Sequence, residues 1–307
     1  MLIKTEIDLG IPITGTASGP DVSICIVNWN TKELTSQCLD SIYRTKQQVT
    51  FEVIVVDNGS GDNSPEWIAQ HYPQIQLIRN DDNRGFGRAN NQAIQTSRGR
   101  YCLLLNSDTL IFDETLDAMI SFMDSHMDVA VSTGKVYKTT DADEILISYA
   151  SSPPTPWILF FNDLISITGL KKLFPESAWI KKLTWTGWHP EREQEVALIT
   201  GACMCVRRQA FEAVGLFDEA IFMYMEETDW CYRFRQAGWK IYYVPKASIV
   251  HFCEGSSNLR NDRDLLYYQS LCYFFKKHYG NSGLLTYQLQ EFLLLRWLRY
   301  IHRLLHR

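Results

Sequence analysis

Between residues 22 and 132 the chain alternates short apolar runs with helical patterns, and that rhythm restricts the fold more than any other feature. Residues 22–27, 52–56, 75–78, 101–105 and 129–132 read as strands, and most of these runs are apolar without interruption, as in strands covered on both faces. Neighbouring parallel strands need a crossover of a dozen or more residues, usually a helix. The first three intervals each supply one. Asn30 and Glu33 stand at capping-box spacing ahead of Leu34, Cys38 and Ile42, which recur every fourth residue. Ser64, followed by Pro65 at a first helical position, opens a second helix. A third is expected over 86–97, stopping at Gly99. The predicted fold class is therefore α/β, a Rossmann-like, mostly parallel sheet flanked by helices.

The 307 residues suit one such core with appendages. Residues 1–20 hold glycines, prolines and threonines without helical period and read as a tail; 21–257 form the core domain. Within it, 151–190 begin with prolines and then turn aromatic around Trp157, Phe161, Trp179, Trp185 and Trp188, which fits either a flap or a helical insertion packed on the core. Residues 258–307 become helical from about Asp264. The last stretch sets Arg296, Arg299, Arg303 and Arg307 opposite Trp297, Leu298, Ile301 and Leu305, a basic amphipathic pattern. Its two readings are contact with anionic lipid headgroups and packing against protein.

A net charge of -5 argues against a general nucleic-acid binder, which needs a basic surface to displace counterions. Cys25 and Cys102 lie inside apolar runs, as buried reduced thiols do, and the N-terminus lacks the basic-then-apolar pattern of a signal peptide. The expected location is the cytoplasm, with peripheral contact at the inner face of the cell membrane.

In open parallel sheets, ligands bind beyond the carboxyl ends of the strands. The first strand is followed by Asn28, Trp29 and Asn30, the second by Asp57, Asn58, Gly59 and Ser60, and the fourth by Asn106, Ser107 and Asp108. A carboxylate such as Asp57 can accept N–H groups of a base, or cap a turn. Asp108, a carboxylate after an apolar run, suits a hard cation such as Mg2+ or Mn2+, or else caps a helix opening over 108–115. Between the third and fourth strands, Asn83, Arg84, Gly85, Phe86, Gly87 and Arg88 combine permissive glycines with amides and cations near a ligand. The spacing is not a dinucleotide fingerprint, because a third glycine is missing. The densest acidic group, Glu226, Glu227 and Asp229, offers a general base or a favourable helix N-terminus. His251 follows a strand-like run and can reach the same cleft as a metal ligand.

Taken in order, these segments resemble glycosyltransferase family 2, in particular its rhamnosyltransferase-like bacterial members. The resemblance runs from about Val22 to Ser257 and includes Thr200, Gly201 and Ala202 followed by Arg207 and Arg208. It implies a GT-A catalytic domain, a divalent metal (Mn2+ or Mg2+), and inverting transfer of a sugar from a nucleotide diphosphate to an acceptor hydroxyl. Asn28, Asn30, Asp57, Asn83, Gly85, Arg88, Asn106 and Ser107 are then the donor-side residues, Asp108 and His251 hold the metal, and Glu227 is the base with Asp229 as competitor. Asn106 stands where the family often has Asp, and Glu227 where Asp is common. The expected donor is a dTDP- or UDP-sugar, with dTDP-rhamnose favoured. The expected acceptor is a glycan or lipid-linked glycan in surface polysaccharide assembly. The alternatives are a sugar nucleotidyltransferase, which would want a glycine turn after the first strand, and a non-catalytic nucleotide-sugar-binding subunit.

Overall fold

Strand β1 (Val22–Asn28) pairs in parallel with β2 (Phe51–Asn58) on one side and with β4 (Tyr101–Asn106) on the other, so the chain winds first one way and then the other from a single central strand. The computed structural model describes residues 19–142, 144–146, 149–150, 152–168, 173, 177, 190–253 and 262–305, with the backbone alone over 166–167 and 295–305. The crossovers are α1 (Lys32–Arg44), α2 (Ser64–His71), which leads into β3 (Gln76–Asn80), and α3 (Phe86–Thr96). After β4 come β5 (Thr109–Ile111), α4 (Thr115–Ser125) and β6 (Val129–Tyr137). Two-residue strands β7 (Ile145–Leu146), β8 (Tyr149–Ala150), β9 (Gln194–Glu195) and β10 (Leu198–Ile199) surround α5 (Pro156–Thr168). The remaining elements are β11 (Cys203–Arg207), α6 (Arg208–Val214), α7 (Glu226–Gln236), β12 (Lys240–His251) and α8 (Arg263–Leu305), the last interrupted at Gly280.

The main sheet has the order β3-β2-β1-β4-β11-β6-β12-β5. β11 runs antiparallel to β4 and β6, and β5 antiparallel to β12; the other pairings along this path are parallel. The expected strands all form. The alternative reading of Asp108 as the cap of a helix opening over 108–115 is not borne out: residues 109–111 are β5, because the end of β12 offers backbone partners there, and α4 begins only at Thr115. The Asn30 capping box is also not made. Asn30 takes a left-handed φ of 54°, Thr31 occupies the N-cap without a side-chain bond to the helix N–H groups, and the Asn30 side chain instead accepts the Gly61 N–H at 2.8 Å.

Strand alternation divides the core into two layers. Ile24, Ile26, Val53, Val55, Leu103, Leu105, Cys203 and Cys205 meet α1 and α4, while Cys25, Ile54, Val56, Cys102, Leu104, Met204 and Val206 meet α3, α6 and α7. This two-sided cover explains the unbroken apolar runs. A third cluster joins Met225, Leu271, Phe274, Phe275 and Tyr287, with Leu159 of α5 against it, so α8 is seated beside the start of α7. Trp157 and Phe161 belong to α5, whereas Trp179, Trp185 and Trp188 lie outside the described residues.

Arg207 is a buried cation in this core. Its guanidinium donates to the carbonyls of Val129 (2.9 Å), His126 (3.0 Å) and Met123, and to the Tyr101 hydroxyl (3.2 Å). These carbonyls close the end of α4 and the turn into β6, so Arg207 ties α4 to the sheet. Arg207→Met would leave buried acceptors without donors, each costing about 1–3 kcal/mol. We predict a loss of roughly 3 kcal/mol or more in urea unfolding; a loss under about 1 kcal/mol would show the carbonyls finding water instead.

Candidate active site

The carboxyl ends of β1 and β2 meet through side chains. Asn28, fully buried, donates to Asp57 (2.6 Å), Ser60 (3.1 Å) and Ser64 (2.8 Å), and its oxygen accepts the hydroxyls of Thr31 (2.9 Å) and Thr35 (2.7 Å). Asp57 also accepts the Ser60 N–H at 3.0 Å, and the Ser60 hydroxyl takes the Asn30 N–H at 2.9 Å. A buried carboxylate is tolerated only when hydrogen-bonded. Here the same bonds fix the loop that rims the strand ends. Ser107 joins from β4 through the Thr31 hydroxyl at 3.0 Å. Thr31, Thr35 and Ser64 escaped the sequence reading as site residues, because their hydroxyls gain meaning only from the Asn28 amide that the fold sets among them.

The loop at 83–88 is held just as firmly. The Asn83 side-chain oxygen accepts from Asn58 and from the Gly85 N–H, both at 3.0 Å, and Asn58 takes the Arg84 N–H at 3.1 Å. Gly85 has φ of 88°, and a Cβ there would collide with the Phe222 carbonyl, which accepts the Phe86 N–H at 3.0 Å. Only glycine allows this approach. Arg88 forms an ion pair with Glu219 at 2.9 Å and Arg84 one with Asp82 at 3.3 Å, both at the surface.

Asp108 follows β4 and His251 ends β12. The β5–β12 pairing places His251 opposite Thr109, and the Phe252 N–H donates to the Asp108 carbonyl at 3.1 Å. The Asp108 carboxylate and His251 Nε2 come within 3.2 Å, with the Asn106 amide nitrogen 3.4 Å from the same Nε2. Among the described residues no group of three or more His, Cys, Asp or Glu forms a metal cage. The Asp108–His251 pair offers one hard oxygen and one imidazole nitrogen, a donor set that can contribute to holding a divalent cation.

Tyr224 and Met225 both adopt left-handed φ, 66° and 68°, immediately before α7. Each such residue costs about 1 kcal/mol or more. The Ser270 hydroxyl on the Met223 carbonyl (2.8 Å) and the burial of Met225 against Leu271 and Phe274 hold them there. The turn delivers Glu226 and Glu227 to the helix N-terminus, against the side of α3 where Gly87 leaves room beside Glu226. One carboxylate oxygen of each is buried without a hydrogen-bond partner. Burial raises both carboxyls, and the neighbouring Glu227 raises Glu226 further.

Asp229 is placed differently. It is fully buried and contacts Arg233 (2.8 Å), Lys277 (2.7 Å) and His278 (2.7 Å), so it joins α7 to α8. Burial alone would raise its carboxyl, but the His278, Lys277 and Arg233 bonds prevail and hold it at about 2.

The family model for glycosyl transferase family 2 matches residues 23–215. The chain belongs to glycosyl transferase family 2. It is 30% identical over 214 residues to the N-acetylglucosaminyl-diphospho-decaprenol L-rhamnosyltransferase of Mycobacterium tuberculosis, a match covering 65% of this chain and 66%, just under two thirds, of that protein. It is 24% identical over 238 residues to the low-salt glycan biosynthesis hexosyltransferase Agl10 of Haloferax volcanii, covering 75% of this chain and 67% of that one. Among solved structures, the mannosyltransferase PcManGT of Pyrobaculum calidifontis, in complex with GDP-Man and Mn2+, superposes with a TM-score of 0.54 at 17% identity over 91% of this chain and 70% of its own. GalNAc-T7 with UDP, GalNAc and Mn2+ gives 0.57 at 12% identity, over 87% and 52%. The fold is that of the GT-A glycosyltransferases, as the resemblance implied.

Because the Asp229 carboxyl is depressed in the folded state, its contribution is complete above the ordinary carboxylate value near 4 and disappears as pH falls through about 2. We predict that Asp229→Asn lowers thermal stability at neutral pH, and that the gap from the parent narrows between about pH 4 and 2. An unchanged gap across that window would mean that the ion pairs carry no net stability.

Proposed function

We propose that this chain transfers a sugar from a nucleoside diphosphate donor to an acceptor hydroxyl with inversion at the anomeric carbon. The observation that carries the reading is the meeting of Asp108 with His251 at the same sheet end as the Asn28–Asp57 network. In this reading Asp57, Asn28, Asn30 and Ser60 seat the nucleoside, while Asn83, Gly85, Arg88, Asn106 and Ser107 shape the donor cleft. Asp108 and His251 hold a divalent ion, Mn2+ or Mg2+, which supplies charge neutralisation for the departing diphosphate.

Glu227 is the proposed base. The acceptor oxygen forms a bond to the anomeric carbon as the carbon–oxygen bond to the diphosphate breaks, and the acceptor proton passes to the Glu227 carboxylate. A carboxyl raised by burial suits that work, since it binds a proton more readily than an exposed one. Asp229, held ionised by three cationic or imidazole partners, serves as a structural anchor rather than a base. The similarity to a rhamnosyltransferase named for N-acetylglucosaminyl-diphospho-decaprenol supports rhamnose as the sugar and a lipid-linked glycan as acceptor; in this reading the donor is dTDP-rhamnose, with a UDP-sugar as the other donor, and the acceptor a glycan or lipid-linked glycan in surface polysaccharide assembly. Such an acceptor would place the protein in the cytoplasm at the inner face of the membrane.

The test is turnover of a panel of nucleotide sugars with Mn2+. Glu227→Gln should lower kcat by about 10²–10⁴ while leaving donor affinity intact. Retained turnover removes Glu227 as base, and donor binding with no turnover by the parent on any acceptor returns the chain to a binding subunit. In the parent, the acid limb of kcat/KM should lie above the ordinary carboxylate range, because only ionised Glu227 accepts the proton; a limb at the ordinary value would contradict that assignment.

A further inference from the structure

Beyond Gly280, α8 buries one face and exposes another. Tyr287, Gln290 and Leu294 are covered, whereas Leu285, Leu289, Phe292 and Leu293 are each 52–58% exposed. Four large apolar side chains on one face of one helix make a contiguous patch, which a surface avoids unless something covers it. Leu285, Leu289 and Phe292 follow the four-then-three spacing of a helical seam, and the sequence continues that spacing through Arg296, Arg299 and Arg303. The backbone is helical through Leu305, so these arginines occupy the same register; their side chains, and Arg307, lie outside the described residues.

The order of residues selects the occupant. A second copy of α8 in parallel would set arginine against arginine over half the seam, and an antiparallel copy would lay arginines over leucines. The apolar part alone is far shorter than the three or four heptads of a coiled coil. From 285 to 303 there are three Arg against one acid, Glu291, in a chain of net charge -5, so the charge complement is anionic. No helix among the described residues is long and apolar enough to cross a membrane, which leaves this face the geometry of contact rather than insertion. We propose that the seam from Leu285 to Arg303 docks on an anionic lipid surface, with the leucines and Phe292 entering the headgroup boundary and the arginines meeting phosphates. This deepens the membrane partner in the proposed function, and α8 is the element that the Asp229 ion pairs and the Met225 cluster lock to the start of α7.

The test is cosedimentation of the full chain with vesicles of phosphatidylcholine alone and with added phosphatidylglycerol. Binding should require phosphatidylglycerol and weaken in high salt. Changing Arg296, Arg299 and Arg303 to Gln together should lower it about a hundredfold, at about fivefold per charge, and Leu289→Glu with Phe292→Glu should abolish it. Equal binding to neutral vesicles, no binding, or a dimer in light scattering that the Leu289→Glu, Phe292→Glu variant dissolves would each overturn the proposal, the last by naming a second copy as occupant. Transfer by these variants to a short-chain acceptor in solution reads the transferase activity separately, so either reading can fail without the other.

Discussion

The constraint on which the rest depends is the placement of β1 between two parallel partners reached by crossovers in opposite directions. The segments leaving β1 and β4, the helix α1 and the strand β5, must diverge there, and the gap between their starting loops cannot be filled by either. Polar side chains are forced into that gap at the end of a dry sheet, where each needs a partner. Asn28 answers by using both ends of its amide, binding Asp57 of the neighbouring strand and two threonines of its own helix. One side chain thereby joins three segments, and the rim of the cleft is set before any ligand arrives.

On the far side of β4 the sheet changes character. The antiparallel β11 and the long β12 bring His251 back to the edge where Asp108 leaves β4, and β5 fixes the register of the two. The base proposed at Glu227 depends on another device, two consecutive left-handed residues braced by α8. Strain at Tyr224 and Met225 is tolerated because Leu271, Phe274 and Ser270 pack over it, so the C-terminal helix supports the site as well as extending the fold.

The parallel half was legible in the sequence because strands covered on both faces have unbroken apolar runs and because their crossovers carry helical period. β5 was not legible: three residues following Asp108 have no period of their own, and only the end of β12 makes them a strand. The Asn30 capping pattern misled for a similar reason. Local spacing suggested a helix cap, while a residue thirty-one positions on, Gly61, claimed the side chain. Among the acids near 227, spacing alone could not separate a base from an anchor. What favours the anchor reading for Asp229 came from α8, whose Lys277 and His278 close on Asp229, while one Glu227 carboxylate oxygen is buried without a hydrogen-bond partner.

The central claim is that Asp108 and His251 form one half of a cation site whose other half is the donor diphosphate. Calorimetric titration of dTDP and UDP, with and without Mn2+, tests it on the parent, Asp108→Asn and His251→Ala. The account predicts that Mn2+ strengthens nucleotide binding to the parent at least tenfold, on the order of 1.4 kcal/mol, and that this linkage vanishes in both variants while folding is retained. Nucleotide affinity indifferent to Mn2+ in the parent, or a linkage that survives both substitutions, would contradict it.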